Sequence, residues 1–327
     1  MLDLAALATT LRSSHGLKAK ADIGQVAARL GLSGAGAIPV GDDCAAIPDG
    51  DGYLLFAIEG FMNEFVARDP WFAGWCGVMV NISDIAAMGG RPIAVVDAVW
   101  ADGEDKAAPV LAGLRAASER FSVPLVGGHT NIRTDRGQLS VAILGRAKKL
   151  LTSFDARPGE RLVAAIDLRG RYREPFSNWE AATDAPAERL RGDIELLPRI
   201  AEAGLSRAAK DISQGGVIGT AAMLAECSGV GMAIDVRNVP APIGVDPSRW
   251  LLSFPSFGYL LSVSPADVAV VTTLFEERGI ACADIGELTS DRRVTVTDGH
   301  SAETIWDFAQ SSLLACGPAS PPAEAAE

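Results

Sequence analysis

The segment Asp69–Gly90, DPWFAGWCGVMVNISDIAAMGG, sets the tightest limit on what this chain can become. It opens on an acid ahead of Pro70, keeps small or apolar side chains on every face, and stops at Gly89-Gly90. Those are the start and stop signals of a helix. A helix that is apolar all round has to be buried, so other layers must cover it. Strand-like runs at 53–60 (YLLFAIEG) and 92–101 (PIAVVDAVWA) stand on either side to supply them.

The rest of the first half carries helical spacing at 2–14, 19–31 and 104–120. Strand patterns lie at 122–128 and 137–147, and a Gly-rich turn at 31–47. The stretch 148–162, with Pro158, Gly159 and several charges, reads as a boundary. Beyond it come strands at 161–168, 206–213, 230–236, 257–263, 281–287 and 292–298, with helices at 187–204, 215–229 and 265–278. Alternating elements of this kind predict an α/β (α+β) fold. With 327 residues there is material for roughly two domains of about 150 each. The division expected is 1–155 and 156–317, with a disordered tail at 318–327.

Charge narrows the partners. Forty-one acidic residues face 29 basic ones, a formal net charge of −12, which argues against nucleic acid and anionic lipid. No apolar run reaches the roughly 18 residues of a membrane span, and the N-terminus lacks a secretory signal, so a cytoplasmic location is expected. Five scattered cysteines without a CxxC pair suggest neither a disulfide framework nor a zinc site. A lysine-bearing phosphate loop, a strand-borne GxGxxG and a GxSxG elbow are all missing.

What remains is a set of acids beside glycines. Asp42 and Asp43 follow Gly41, Glu59 ends an apolar strand, Asp84 sits inside the apolar helix, and Asp211 ends another strand before Gln214-Gly215-Gly216. Carboxylates at strand ends can hold Mg²⁺, which takes oxygen ligands and shares them with substrate phosphates. Each has a plainer reading. Asp42 and Asp43 suit a turn, Glu59 a strand end, and Asp211 the cap of helix 215–228. Asp84 suits an ion pair with a base such as Arg91, since an isolated buried charge costs several kcal/mol. His129, in Gly127-Gly128-His129-Thr130, suits an ordinary loop histidine. The echo between Asn81-Ile82-Ser83-Asp84 and Asp211-Ile212-Ser213-Gln214 hints that the two halves present similar loops.

Taken in order, GDDCAAI (41–47), NISDIAAMGG (81–90), GGHT (127–130), DISQGG (211–216), FPSFGYLLSV (254–263) and IGEL (285–288) resemble the aminoimidazole ribonucleotide (AIR) synthetase, or PurM-like, superfamily. The first two are nearest to thiamine-monophosphate kinase. GGHT is similar to selenophosphate synthetase, and DISQGG to formylglycinamidine ribonucleotide synthetase. The chain departs from the kinase pattern at His129 and Gln214, where that enzyme carries Asp.

The resemblance implies a two-domain fold. An N-terminal domain builds a β-barrel across a homodimer, with active sites near the interface, and a C-terminal α/β domain completes the chain. It also implies ATP and Mg²⁺ as cofactors and a small-molecule substrate. Asp42, Asp84 and Asp211 would be metal ligands, with Glu59 and Asp43 as further candidates. Gly41, Asp43, Gly127, Gly128, Thr130, Ser213, Gln214 and Gly215 would line the nucleotide. Asp84, His129 and Asp211 would serve the chemistry. The expected reaction is phosphoryl transfer by a kinase-like or synthetase-like enzyme. A non-catalytic nucleotide-binding subunit is the alternative. Residues 171–186, rich in Arg, Trp and Tyr, are expected to cover the substrate.

Overall fold

A computed structural model describes residues 3–32 and 39–316. The expected tail at 318–327 and the glycines at 34 and 36 lie outside the described residues. The chain forms two compact units, one of residues 1–43, 151–183 and 203–327, the other of residues 44–150 and 184–202. Neither is contiguous in sequence, in contrast to the division drawn at 155/156.

The first unit begins with three short helices, α1 (Leu4–Ser13), α2 (His15–Ala19) and α3 (Ala21–Arg29). Leu4, Leu7 and Leu11, one stripe of α1, are buried in the same core as Ile218, Ala222 and Ile305. That packing is why the N-terminal residues cluster with the C-terminal part of the chain.

The second unit holds β1 (Ala45–Asp49), β2 (Gly52–Phe61), α4 (Asn63–Arg68), α5 (Pro70–Ala87), β3 (Arg91–Asp102), α6 (Glu104–Phe121), β4 (Leu125–Asn131) and β5 (Arg133–Ala147). Helices α7 (Ala187–Ile194) and α8 (Leu196–Ala203) follow later in the chain. They replace the single helix expected over 187–204. Pro198 has no N–H to give the Ile194 carbonyl, so the helical ladder breaks there.

Helix α5 behaves as its composition demands. Asp69 caps it by accepting from the Phe72 amide at 3.3 Å, and Gly89 ends it at φ 73°. Fourteen of its 18 residues are buried. It crosses α6 at backbone contact, since a Cβ on Gly74 would overlap the Val110 carbonyl and one on Gly113 the Trp71 carbonyl.

The strands of this unit form one sheet in the order β1-β2-β5-β3-β4, in which only β3 and β4 run parallel. Alternate residues Leu139, Val141 and Ile143 of β5 turn to the helices and are buried. The GGHT segment is therefore not a loop. It belongs to β4, which starts after Pro124 and runs through to Asn131.

The remainder of the first unit comprises β6 (Arg161–Ile166), β7 (Arg171–Tyr172), β8 (Asn178–Glu180), β9 (Ser206–Asp211), α9 (Gly216–Ser228), β10 (Gly231–Asp235), α10 (Pro247–Leu251), β11 (Phe254–Pro255), β12 (Gly258–Val263), α11 (Val268–Glu276), β13 (Ala281–Thr289), β14 (Arg293–Thr297) and β15 (Ala302–Asp307). Seven of these strands make a mixed sheet, β15-β14-β10-β13-β6-β12-β9, and β11-β8-β7 make a small one. Strands β6 and β12 are central and read as unbroken apolar runs because both their faces are covered. The echoed tetrapeptides do not sit in matching places. Asn81–Asp84 is mid-helix, whereas Asp211–Gln214 leaves a strand for a turn.

Candidate functional site

In the first unit the acids of two separate motifs meet. Gly41, at φ 122°, turns the chain so that Asp42 and Asp43 face inward. Asp42 accepts hydrogen bonds from the Ser153 hydroxyl at 2.8 Å and the Ser153 amide at 3.1 Å. Lys210, next to last in β9, is only 5% exposed and donates to Asp43. The Asp211 amide reaches the same carboxylate at 3.4 Å. Asp42, Asp43, Lys210 and Asp211 thus form one cluster of three acids around an ammonium.

The electrostatics follow from burial. Removal from water, reinforced by repulsion from Asp43, lifts the Asp42 carboxyl to about 7, against the pull of Lys210 and the Ser153 hydrogen bonds. Burial alone would depress the Lys210 ammonium. The charges of Asp43 and Asp42 and the hydrogen bond to Asp43 together outweigh it and hold Lys210 protonated, above its ordinary range.

The DISQGG residues leave β9 for α9. Ser213 accepts from the Lys20 ammonium at 3.4 Å, and its own amide donates to the Thr220 hydroxyl at 3.3 Å. Gly215 and Gly216 take left-handed φ values of 118° and 64°, which side chains resist. Gly215 also presses on Gly16, where a Cβ would lie 2.7 Å from the Gly215 nitrogen. Gln214 is exposed. Helix α9 starts with Gly215 as its cap residue and no side-chain cap, so Asp211 does not serve as the cap.

The second unit carries the remaining candidates. Asp84 is 7% exposed on α5. Arg91, its suggested ion-pair partner, instead donates to Glu195 at 3.0 Å and to Glu202 at 2.6 Å. Across the sheet, Glu59, Val141, Asp97 and Gly128 are register partners in one row. Gly128 lies so close to Asp97 that a Cβ would come within 2.5 Å of the Asp97 carbonyl. The next row, Gly60, Ser140, Ala98 and His129, turns to the other face. His129 is exposed there, its ring centroid 5.6 Å from that of Trp100. Thr130 is likewise exposed in β4. The register therefore separates His129 from the Glu59 row.

Three residues here escape a reading of the motifs. Lys210 precedes Asp211 in a strand that also carries Ser206 and Arg207, so it does not stand out, and Ser153 is unremarkable in sequence. Asp97 is the lone acid within strand 92–101, the signal that drew attention to Asp84. Burial raises its carboxyl above the ordinary range.

These two sets of motifs also match known domains. Residues 41–147 match the family model for the AIR synthase related protein N-terminal domain, and residues 174–299 that for its C-terminal domain. The chain belongs to the AIR-synthase-related family.

Among its relatives, an uncharacterised protein of Synechocystis is 49% identical over 93% of this chain and 95% of its own. The phosphoribosylformylglycinamidine synthase subunit PurL of Methanopyrus kandleri is 29% identical over 79% of this chain and 39% of its own. Among solved structures, Thermotoga maritima PurL complexed with ATP matches at a TM-score of 0.72 and 21% identity. That match covers 89% of this chain but 50% of PurL, so the AIR-synthase-related chain spans about half of that structure. AaThiL complexed with AMPPCP and TMP matches at a TM-score of 0.63 and 21% identity, over 84% of this chain and 91% of its own. These two likenesses establish the fold.

Among the described residues no helix is long and apolar enough to cross a membrane.

Proposed function

We propose that this AIR-synthase-related protein binds ATP through Mg²⁺ held by its own carboxylates and activates a small metabolite by phosphoryl transfer. The observation that carries this reading is the cluster of Asp42, Asp43 and Asp211 around a buried ammonium. Its ligand atoms are all carboxylate oxygens, the kind a hard cation takes, and Lys210 already sets one positive charge among these acids. The ATP in T. maritima PurL and the AMPPCP in AaThiL support an adenine nucleotide as the ligand.

Asp42, Glu59, Asp84 and Asp211, with Asp43, are the residues assigned to hold the metal. When bound, Mg²⁺ takes up charge that develops on the transferring phosphoryl group. The backbone of Gly41, Gly127, Gly128 and Gly215, with Thr130, Ser213 and Gln214, is assigned to the phosphates. Glycine lets a phosphate oxygen approach an amide closely. His129 is the candidate acid or base for the acceptor. The acceptor is a phosphate, as in a kinase, or an amide or carboxyl oxygen, as in a synthetase. Titration of ATP with and without Mg²⁺, followed by a search for ADP release with each acceptor class, tests the reading.

The second unit's sheet bears on assembly. On the face away from α5 and α6, Ile58 is 67% and Phe56 51% exposed, with Val96 and Val126 beside them. An apolar sheet face of this kind marks an interface, and we assign it to a second copy of the chain. His129 shares that face, so the partner would approach the proposed site. Ile58→Asp is expected to convert the dimer to monomer in light scattering. A dimer unchanged in mass contradicts the assignment.

A non-catalytic nucleotide-binding subunit remains the rival, favoured by the separation of His129 from the Glu59 row. Mg²⁺-dependent ATP binding without ADP release on any acceptor would select it.

A further inference from the structure

Three consecutive residues at the end of α9 each grip a different segment near the Gly41–Asp43 loop. Glu226, fully buried within an apolar helix, accepts the amides of Leu313 at 3.0 Å, Leu314 at 2.5 Å and Ala315 at 3.2 Å. Cys227 donates to the Gly41 carbonyl at 3.5 Å. The Ser228 hydroxyl donates to the Ser153 carbonyl at 2.7 Å, and Ser153 in turn holds Asp42.

The segment gripped by Glu226 bears on the same loop. Leu313 and Leu314 are buried, and Ala315 turns left-handed at φ 52° to bring Cys316 inward. A Cβ on Gly41 would lie 2.9 Å from the Cys316 Cβ and 3.0 Å from the Cys227 sulfur. Gly41 is thus wedged between the helix and the segment, directly ahead of Asp42 and Asp43.

We infer that Glu226 is a positioning residue: by fastening residues 313–316 against Gly41, it fixes the acid loop for metal and nucleotide. This inference rests on the proposed ATP and Mg²⁺ site. The chemistry is specific to a carboxylate. Three N–H donors converge on two oxygens, and an amide in place of the carboxylate would set its own donor against one of them.

The test is Glu226→Gln in the full chain, with Val294→Ala, in the same core but away from the loop, as the control for lost stability. Two quantities are read on folded protein, the dissociation constant for ATP with Mg²⁺ and the rate at which iodoacetamide labels Cys316. Glu226→Gln is expected to weaken ATP binding at least about 10-fold and to speed labelling by a similar factor, with Val294→Ala changing neither. Faster labelling with wild-type ATP affinity overturns the inference, as does unchanged labelling. If Glu226→Gln does not fold, Cys316→Ala, which removes the side chain against Gly41, replaces it. An ATP affinity unaltered there is equally contrary. Should the wild-type protein bind no ATP with Mg²⁺, the functional reading falls, while the labelling rate still judges whether Glu226 holds the segment.

Discussion

Asparagine at Asp84 or at Asp211 is expected to lower Mg²⁺-dependent ATP turnover by more than about 100-fold while leaving the circular dichroism spectrum unchanged. Residues one step removed from a bound metal already cost about 10–100-fold when replaced, so a direct ligand should cost more. Asparagine keeps the shape of the side chain but removes the charge a divalent cation needs. Asp84 is the sharper case, because it is a carboxylate buried on a mostly apolar helix, where a charge is costly to keep without a role. Turnover at the wild-type rate in both variants would exclude these acids from the reaction.

Lys210→Met should show the largest loss of stability. It leaves Asp43 and Asp42 buried without their ammonium, and breaking a buried pair from one side costs about 3–5 kcal/mol. Two dependences separate this cause from simple misfit. The folded Asp42 carboxyl titrates at about 7 against 3.8 ordinarily, so the folded state holds its proton more tightly. Its contribution to stability is fullest below about pH 4 and is lost as pH rises through about 7. Lys210 opposes that rise, so the variant's deficit should be greatest above pH 7 and shrink on acidification. Mg²⁺ should also narrow the deficit, because acids that have lost their ammonium take up the cation more tightly than in the wild type. Urea denaturation at several pH values, with and without Mg²⁺, measures both. A deficit that responds to neither would mean that charge is not what holds the loop.

Much of the architecture is visible in the residues alone, and the reasons are local. Pro70 and Gly89 delimit α5, and alternation in 137–147 marks the buried face of β5, because capping and periodicity act over a few residues. The short elements α4, α10, β7, β8 and β11 carry too few residues for a period. The acid cluster is half legible. Asp42, Asp43 and Asp211 stand beside glycines, but Lys210 looks like a surface lysine until β9 is seen to be covered. His129 shows the same limit from the other side. The GGHT segment reads as a loop, whereas strand register places its histidine on the face opposite Glu59 and Asp97. Pairing across strands is not written in any single segment.

The proposed function turns on acidic side chains that recruit a divalent cation to hold a triphosphate. Calorimetric titration of ATP into the protein, with Mg²⁺ and then with chelator, addresses it directly. Binding is expected with Mg²⁺ and is expected to vanish when the metal is chelated. ATP binding of equal strength in both conditions, or none in either, would contradict it.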